Sequence, residues 1–563
     1  MNILAEPTAS ACTSVAGLSV LAALAVALCS PVAVSANLLV TNANGLTLDA
    51  SNTVVRFGAL LVGDDGKVVR TYPRGARIAV PAGAKQLDAG GKTLMPGLID
   101  AHGHIMELGF NALAVDVSGT ASLEAALAKI KAYAAANPEA RWIVGSGWNQ
   151  ERWPERRFPT AAELDRAVPD RPAYLARIDG HAGWANSRAI ALAKVSASTR
   201  DPAGGRIERD ASGAPAGVFV DSAKGLMEAV LPKPTPAEAA RALDKALQIM
   251  ASVGLTQAAD MGIDPGTWAL YRSFEARHRL TARIVAMAGG MDSLAAIAPK
   301  GPIAWSGDET LSLPGVKLYD DGALGSRGAW LKADYSDAPG NRGLMFQTNV
   351  KLHAAIDRAT GQGFQVAVHA IGDAANAQVL DAFARIPAAT RARLRLRLEH
   401  AQVVDVADLP RFASLGVIAS MQPTHATSDK GMAEARLGEA RLAGAYAWAT
   451  ILRSGARFAG GSDFPVEPPN PFYGLHAAVT RQDRAGAPPG GWRVAEALTF
   501  PQALAAFTTG AAYANRSEAH TGTLTPGKWA DFIIVDRDPA KIAPGDLWKV
   551  KVEQTWLAGK RVF

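Results

Sequence analysis

Eight apolar runs with strand character, most of them separated by segments of helical periodicity, constrain this chain more than any other feature. The first ends in Pro96-Gly-Leu-Ile-Asp-Ala-His-Gly-His104, and the others occupy residues 254–260, 282–288, 315–321, 364–369, 394–400, 416–422 and 457–463. Helical patterning fills the spacers, for example at 235–252 and 350–361. Continuous apolar strands alternating with helices imply a parallel sheet buried on both faces, and eight repeats imply a closed (β/α)8 TIM barrel in the α/β class. One spacer, about 121–231, is far longer than a crossover helix needs. It is polar, Gly-rich and Trp-containing, and reads as a cap beside the barrel mouth. The two ends of the chain are different again: short strands with Gly/Asp turns, which form either one joint β unit or two unrelated edges.

Of the 563 residues, 48% are hydrophobic and 20% charged, which fits a globular protein with a large core. The net charge of +6 is spread without a long Lys/Arg block, so no nucleic-acid partner is expected. Residues 1–36 read as a signal peptide: an apolar run at 15–28, Pro31, then Val34-Ser-Ala36 as a small-residue cleavage pattern. Its n-region has Glu6 and no basic residue, which departs from the usual signal. Cys29 allows a lipoprotein reading, which the bulky Leu28 before it disfavours. The expected location is therefore periplasmic or secreted. Cleavage after Ala36 would remove both cysteines, Cys12 and Cys29, leaving no disulfide and no thiolate metal ligand. No later stretch reads as a membrane span.

Polar residues collect at the C-terminal ends of the strand runs, where barrel enzymes carry their chemistry. His102 and His104 end the first, Lys317 lies in the fourth, His369 ends the fifth, His400 the sixth and Asp463 the eighth. In a strand, residues i and i+2 share a face, so His102 and His104 point the same way and make a start on a zinc site. A lone buried histidine is ordinarily just hydrogen-bonded in a core. Four at the same end of three barrel strands, joined by an aspartate, are hard to explain that way.

Together with Gly147-Trp-Asn-Gln150, Asp179-Gly-His-Ala-Gly-Trp-Ala-Asn186, Asp321-Gly-Ala-Leu-Gly-Ser-Arg327, His369-Ala-Ile-Gly-Asp373, Leu398-Glu-His-Ala-Gln402, Met421-Gln-Pro-Thr-His425 and Gly461-Ser-Asp463, these residues resemble the metal-dependent amidohydrolase superfamily. The match is to its YtcJ-like branch, which includes N-substituted formamide deformylases. Thr525-Pro-Gly-Lys-Trp-Ala-Asp531 resembles the superfamily's closing β-sandwich motif. The resemblance thus implies a β-sandwich domain made of 37–95 and 516–563, around a barrel spanning 96–515.

The same resemblance implies a binuclear centre of two divalent ions, with zinc the expected metal and manganese or iron compatible. His102, His104 and Asp463 would hold the buried ion, His369 and His400 the more exposed one, and a carboxylated Lys317 would bridge them. A charged ammonium beside two dications is repelled, so Lys317 contributes only when neutral or carbamylated. The implied chemistry is attack by a metal-bridging hydroxide on an amide-type C–N bond of an N-acyl or N-formyl compound or small peptide, with Asp463 as proton shuttle. The same site would serve an ester, lactone or cyclic C=N bond. A catalytically inactive scaffold is disfavoured because no ligand is missing. His181 and His425 are candidates for gripping the substrate or its oxyanion, His181 also as a catalytic group. Trp148, Trp184 and Arg327 are candidate pocket residues. The expected partner is a small-molecule substrate, with a homodimer compatible.

Overall fold

A computed structural model of the protein describes residues 36–177, 182–202 and 205–563. The eight apolar runs form one parallel sheet in chain order: Leu98–Gly103, Leu255–Ile263, Arg283–Gly289, Leu311–Tyr319, Gln365–Ala370, Arg397–His400, Ile418–Met421 and Arg457–Gly460. The first and eighth strands meet through the residues that follow them. Asp463 N–H donates to the His102 carbonyl and His104 N–H to the Phe464 carbonyl, both at 2.7 Å. The sheet is thereby a nearly closed barrel.

That seam has no space for side chains at two glycines. A Cβ on Gly103 would lie 2.4 Å from the Phe464 ring, and one on Gly461 would lie 2.7 Å from the His102 backbone nitrogen. The glycine between the two histidines is therefore demanded by packing. Helices form the outer layer. Pro236–Ser252 opens with a reciprocal cap between Thr235 and Glu238 and buries Leu243, Ala246, Leu247 and Met250, which recur at helical spacing.

Both chain ends enter one β unit, as expected. A six-stranded sheet takes Asn44–Leu48, Val54–Phe57 and Thr93–Pro96 from the start of the described chain and Phe532–Val535, Val552–Leu557 and Lys560–Arg561 from its end. Phe532–Val535 runs antiparallel to Thr93–Pro96. A four-stranded sheet from the start of the chain packs with it around Leu38, Val40, Leu60, Leu94, Phe532 and Ile534. The long spacer after the first barrel strand is a separate α/β unit whose strand pairing begins at Val115. Its six-stranded sheet has its own core, which includes Trp148, Trp153, Leu164 and Trp184. Residues 1–35, which hold Cys12 and Cys29 and nearly all of the segment 1–36 read as a signal peptide, lie outside the described residues. Among the described residues, no helix is long and apolar enough to cross a membrane.

The closing motif 525–531 has a visible task. The Asp531 carboxylate accepts from Arg283 Nε at 2.7 Å and Nη2 at 3.0 Å, where the third barrel strand begins. Both side chains are buried, and the guanidinium lies 4.7 Å from the Trp529 ring. Removing one partner of a buried pair strands the other charge, so Asp531→Ala should cost about 3–5 kcal/mol. Thermal or urea unfolding reads this directly, and an unchanged midpoint would refute the role given to the pair.

Candidate metal centre

The barrel brings together all six residues read from the sequence as ligands. His102 and His400 ring centroids are 4.6 Å apart, and those of His369 and His400 are 4.5 Å apart. Lys317 Nζ lies 3.1 Å from His102 Nε2. Asp463 Oδ1 lies 3.0 Å from His104 Nε2 and 3.5 Å from His102 Nε2. His425, in the first turn of the helix Pro423–Leu437, joins from the other side with Nε2 at 3.8 Å from Asp463 Oδ2.

Local backbone geometry explains how the sixth and eighth strands deliver their ligands. Alternation along a strand would put the neighbours Glu399 and His400 on opposite faces. Yet Glu399 hydrogen-bonds His102 inside the barrel while the His400 ring packs on the same histidine. The strand ends there because His400 has φ 74° and Ala401 φ 43°, both left-handed. Asp463 is left-handed too, with φ 58°. Such conformations cost a non-glycine residue roughly 1–3 kcal/mol and persist only where surrounding bonds hold them.

Ala401 N–H donates to the Ala370 carbonyl at 3.1 Å, and buried carboxylates that no sequence feature marked with a role hold the other strand ends. Asp100 accepts from His102 N–H at 2.9 Å and from the Ser462 hydroxyl at 2.6 Å, joining the first strand end to the Asp463 turn. Asp321 accepts from the backbone N–H groups of Ile371, Gly372 and Trp330, fixing the chain just after His369. Asp260 accepts from Ile105 N–H beside His104. Glu399 accepts from His102 Nδ1 at 2.6 Å and from Arg397 Nε at 2.7 Å. The bond to Glu399 assigns the Nδ1–H tautomer to His102 and leaves the Nε2 lone pair facing Lys317, ready to accept a hydrogen bond or ligate a metal. Two opposite charges two residues apart, Arg397 and Glu399, just before His400 were the available signal for Glu399.

The electrostatics favour neutral donors. Burial, with the nearby Lys317 charge, pushes His102 down to about 4 and His369 down to about 3. Burial and the neighbouring imidazoles hold His400 well below its ordinary value. Burial also pushes Lys317 down to about 8, partly offset by Glu399 and Asp463. Burial opposes ionisation of Asp463, but the His104 hydrogen bond and the surrounding histidines more than offset it and keep the carboxylate ionised. Burial would likewise lower His104, but its bond to Asp463 leaves it raised.

A divalent metal fits this set. His102, His104 and Asp463 present ligand atoms within 4.8 Å of one another, as do His400, His425 and Asp463. Among the described residues His369 Nε2 is buried without a hydrogen-bond partner, and a metal would satisfy such an orphaned nitrogen. The sequence reading paired His369 with His400. The structure keeps them adjacent and adds His425 to the same cluster.

The remaining candidates fall elsewhere. His181 lies outside the described residues. Trp148 and Trp184 are fully buried in the core of the inserted unit, their indole N–H groups donating to the Leu175 and Thr160 carbonyls at 2.8 Å. The expectation of pocket walls is therefore corrected, since both indoles are consumed in packing. Arg327 makes a two-pronged bond to Asp337.

Residues 85–563 match the family model described as the amidohydrolase family. The putative amidohydrolase YtcJ of Bacillus subtilis (strain 168) is 32% identical over 489 residues, covering 85% of this chain and 90% of that protein. The N-substituted formamide deformylase of Arthrobacter pascens is 30% identical over 538 residues, covering 93% and 97%. The crystal structure of an uncharacterised metal-dependent hydrolase from Pyrococcus horikoshii OT3 superposes with a TM-score of 0.76 at 27% identity, covering 90% of this chain and 99% of that one.

Two outcomes are expected of the centre. Glu399→Gln removes the charge that orients His102 and should weaken metal retention roughly 10–100-fold against a competing chelator; unchanged retention would deny Glu399 that role. The buried imidazoles should also add acid sensitivity to the metal-free protein. His102 and His369 titrate near 6.5 when unfolded but near 4 and 3 when folded, so the unfolded chain binds more protons below that value. Their contribution is complete above pH 6.5 and falls as pH drops towards 4. His104, shifted the other way, opposes this, as do Asp100 and Asp321, which burial pushes up to about 7 and which therefore bind protons more readily folded than unfolded across the same window. The contribution is read by difference: the thermal midpoint of metal-free His369→Asn relative to metal-free wild type should rise as pH drops from 6.5 towards 4, and a difference that stays level would contradict the assignment.

Proposed function

The chain belongs to the amidohydrolase family, and from that premise we propose that it is a metal-dependent hydrolase of amide-type carbon–nitrogen bonds, acting on an N-acyl or N-formyl compound or a small peptide. The observation that carries the reading is the convergence of His102, His104, Lys317, His369, His400 and Asp463 at the C-terminal end of one barrel, with the imidazoles of His102, His369 and His400 held neutral. His102, His104 and Asp463 would hold one ion, and His369 and His400 a second. When bound, divalent ions of this kind make water a nucleophile near neutral pH and polarise a carbonyl.

Lys317 is suited to link the two groups of ligands. Its buried amine, pushed down to about 8, has a substantial neutral fraction near pH 7. A neutral amine can add carbon dioxide, forming the N–C bond and releasing a proton, and so becomes an anionic oxygen ligand. Asp463 sits where a proton can be held: its Oδ1 faces His104 and its Oδ2 faces His425. It would take a proton from the attacking water and return it to the leaving nitrogen, which must be protonated before the C–N bond breaks cleanly. His425 Nε2, buried and without a hydrogen bond to any described residue, is placed to donate to a substrate oxygen beside Asp463, since Gln402 Nε2 occupies its Nδ1 at 3.0 Å.

The export reading of residues 1–36 is a separate proposal supported by sequence alone, and a mature N-terminus at Asn37, read by mass spectrometry, would support it.

The function is tested by metal analysis and by a panel of N-acyl amino acids, dipeptides, formamides and lactones with metal-loaded protein. Turnover is expected among the amides. Turnover of lactones alone would move the reading to C–O bonds, and failure to retain metal after reconstitution would favour a scaffold. On the best amide, Lys317→Ala and Asp463→Asn should each lower kcat/KM by on the order of 100-fold or more. Near wild-type turnover by either variant would sink its assigned role.

A further inference from the structure

Tyr319 ends the fourth barrel strand two residues beyond Lys317 and shares its inward face. Lys317 is 1% exposed, whereas Tyr319 is 41% exposed, so the strand rises from the ligand layer to the mouth between these residues. The phenol ring lies over the centre: its centroid is 5.0 Å from Lys317 Nζ and 5.5 Å from the His369 ring. Its far end reaches the second strand, where a Cβ built on the exposed Gly262 would stand 3.4 Å from the phenol oxygen.

The side chain is fixed at its base. Gln347 Nε2 donates to the Tyr319 carbonyl at 2.8 Å, and Asp320 N–H donates to the His369 carbonyl at 3.0 Å. At its tip, the phenol O–H makes no hydrogen bond to any described residue. The rim beside it is apolar. Phe346, 52% exposed, has its backbone N–H on the Asp320 carbonyl, and Leu344 and Met345 just before it are exposed as well. An aromatic group whose base is anchored, whose face covers the ligand cluster and whose donor is left free is arranged to meet another molecule.

We propose that Tyr319 contacts the substrate directly, its phenol O–H donating to an acceptor atom next to the scissile bond and its ring packing against an apolar substituent of the substrate. This rests on the amide-hydrolase reading above and adds to it a substrate class: amides that carry an apolar or aryl group close to the reacting carbonyl. The ring supplies the wall of the site on the fourth-strand side, and the hydroxyl supplies one directional bond.

The test uses full-length metal-loaded protein and two hydroxamates as carbonyl mimics, benzohydroxamate and acetohydroxamate, with binding read by calorimetry. Tyr319→Phe removes only the donor and should weaken both probes by roughly tenfold. Tyr319→Ala removes the wall as well and should weaken benzohydroxamate further than acetohydroxamate. Metal content should match wild type in both variants. On the best amide of the panel, Tyr319→Phe should raise KM by a similar factor with kcat within about twofold, the pattern of a lost binding contact. Wild-type hydroxamate binding by Tyr319→Phe overturns the hydrogen bond, and equal losses of the two probes in Tyr319→Ala overturn the wall. If no amide is turned over by wild type, the hydrolase reading fails while the hydroxamate comparison still judges Tyr319. A wild-type protein that neither binds hydroxamate nor turns over an amide overturns both.

Discussion

Glu399 is fully buried, and the centre depends on the two groups that hydrogen-bond it, the Arg397 guanidinium and the neutral His102 imidazole. Burying a lone carboxylate costs several kcal/mol, which only close charge-assisted bonds can offset. Arg397 supplies two such bonds, from Nε at 2.7 Å and Nη2 at 3.2 Å, and His102 Nδ1 a third at 2.6 Å. Arg397 is itself tied down by the Ala101 carbonyl, the Ser420 hydroxyl and the Asn515 side chain. One ionic chain therefore runs from the first strand through the sixth to the seventh and ends on an imidazole. Its outcome is positional, because it gives His102 one tautomer and one ring orientation at the level where Lys317 approaches.

The other buried carboxylates work on the backbone. Asp100 and Asp321, which burial pushes up to about 7, hold N–H groups of the turns that carry Asp463 and follow His369. Neutral backbone donors are weaker partners than a cation, but they fix chain path, and chain path is what the left-handed residues His400 and Asp463 require. A strand that simply continued past His400 would carry that ring to the helix side of the barrel. The strain at the ligand positions and the carboxylates next to them are thus two parts of one arrangement: the first aims the side chains, and the second keeps them aimed.

The legibility of the chain followed the same division. Barrel strands were readable because burial on both faces requires near-continuous apolar runs, and ligand residues were readable because histidine and lysine are anomalous in such runs. All six converge. The joint β unit was readable from the 525–531 motif, although the reason for Asp531, its pair with Arg283, needed three dimensions. Residues whose role is to hold other residues were not readable. Asp100 and Glu399 sit within quoted motifs, yet nothing local shows that one binds the turn after the eighth strand and the other a histidine 297 positions away. The tryptophans misled for a related reason, since Trp148 and Trp184 in Gly-rich stretches look the same whether they line a pocket or fill a core. The inserted unit is a folded body with a core to fill, and it takes them.

With those indoles accounted for, what can distinguish one substrate from another narrows to the mouth of the barrel. The ligand cluster is generic, because any carbonyl brought to it meets the same imidazoles and the same carboxylate. Selectivity must come from groups just above that layer, and the fourth strand shows how little sequence separates the two functions. Lys317 belongs to the buried layer, and two residues later Tyr319 is in the open, facing the same way. The loop that follows is pinned to the strand end through Asp320 and Tyr319 carbonyls, so its apolar residues are held near the centre by backbone bonds and can change without disturbing the ligands. A barrel built in this way separates reactivity from recognition along the length of a single strand.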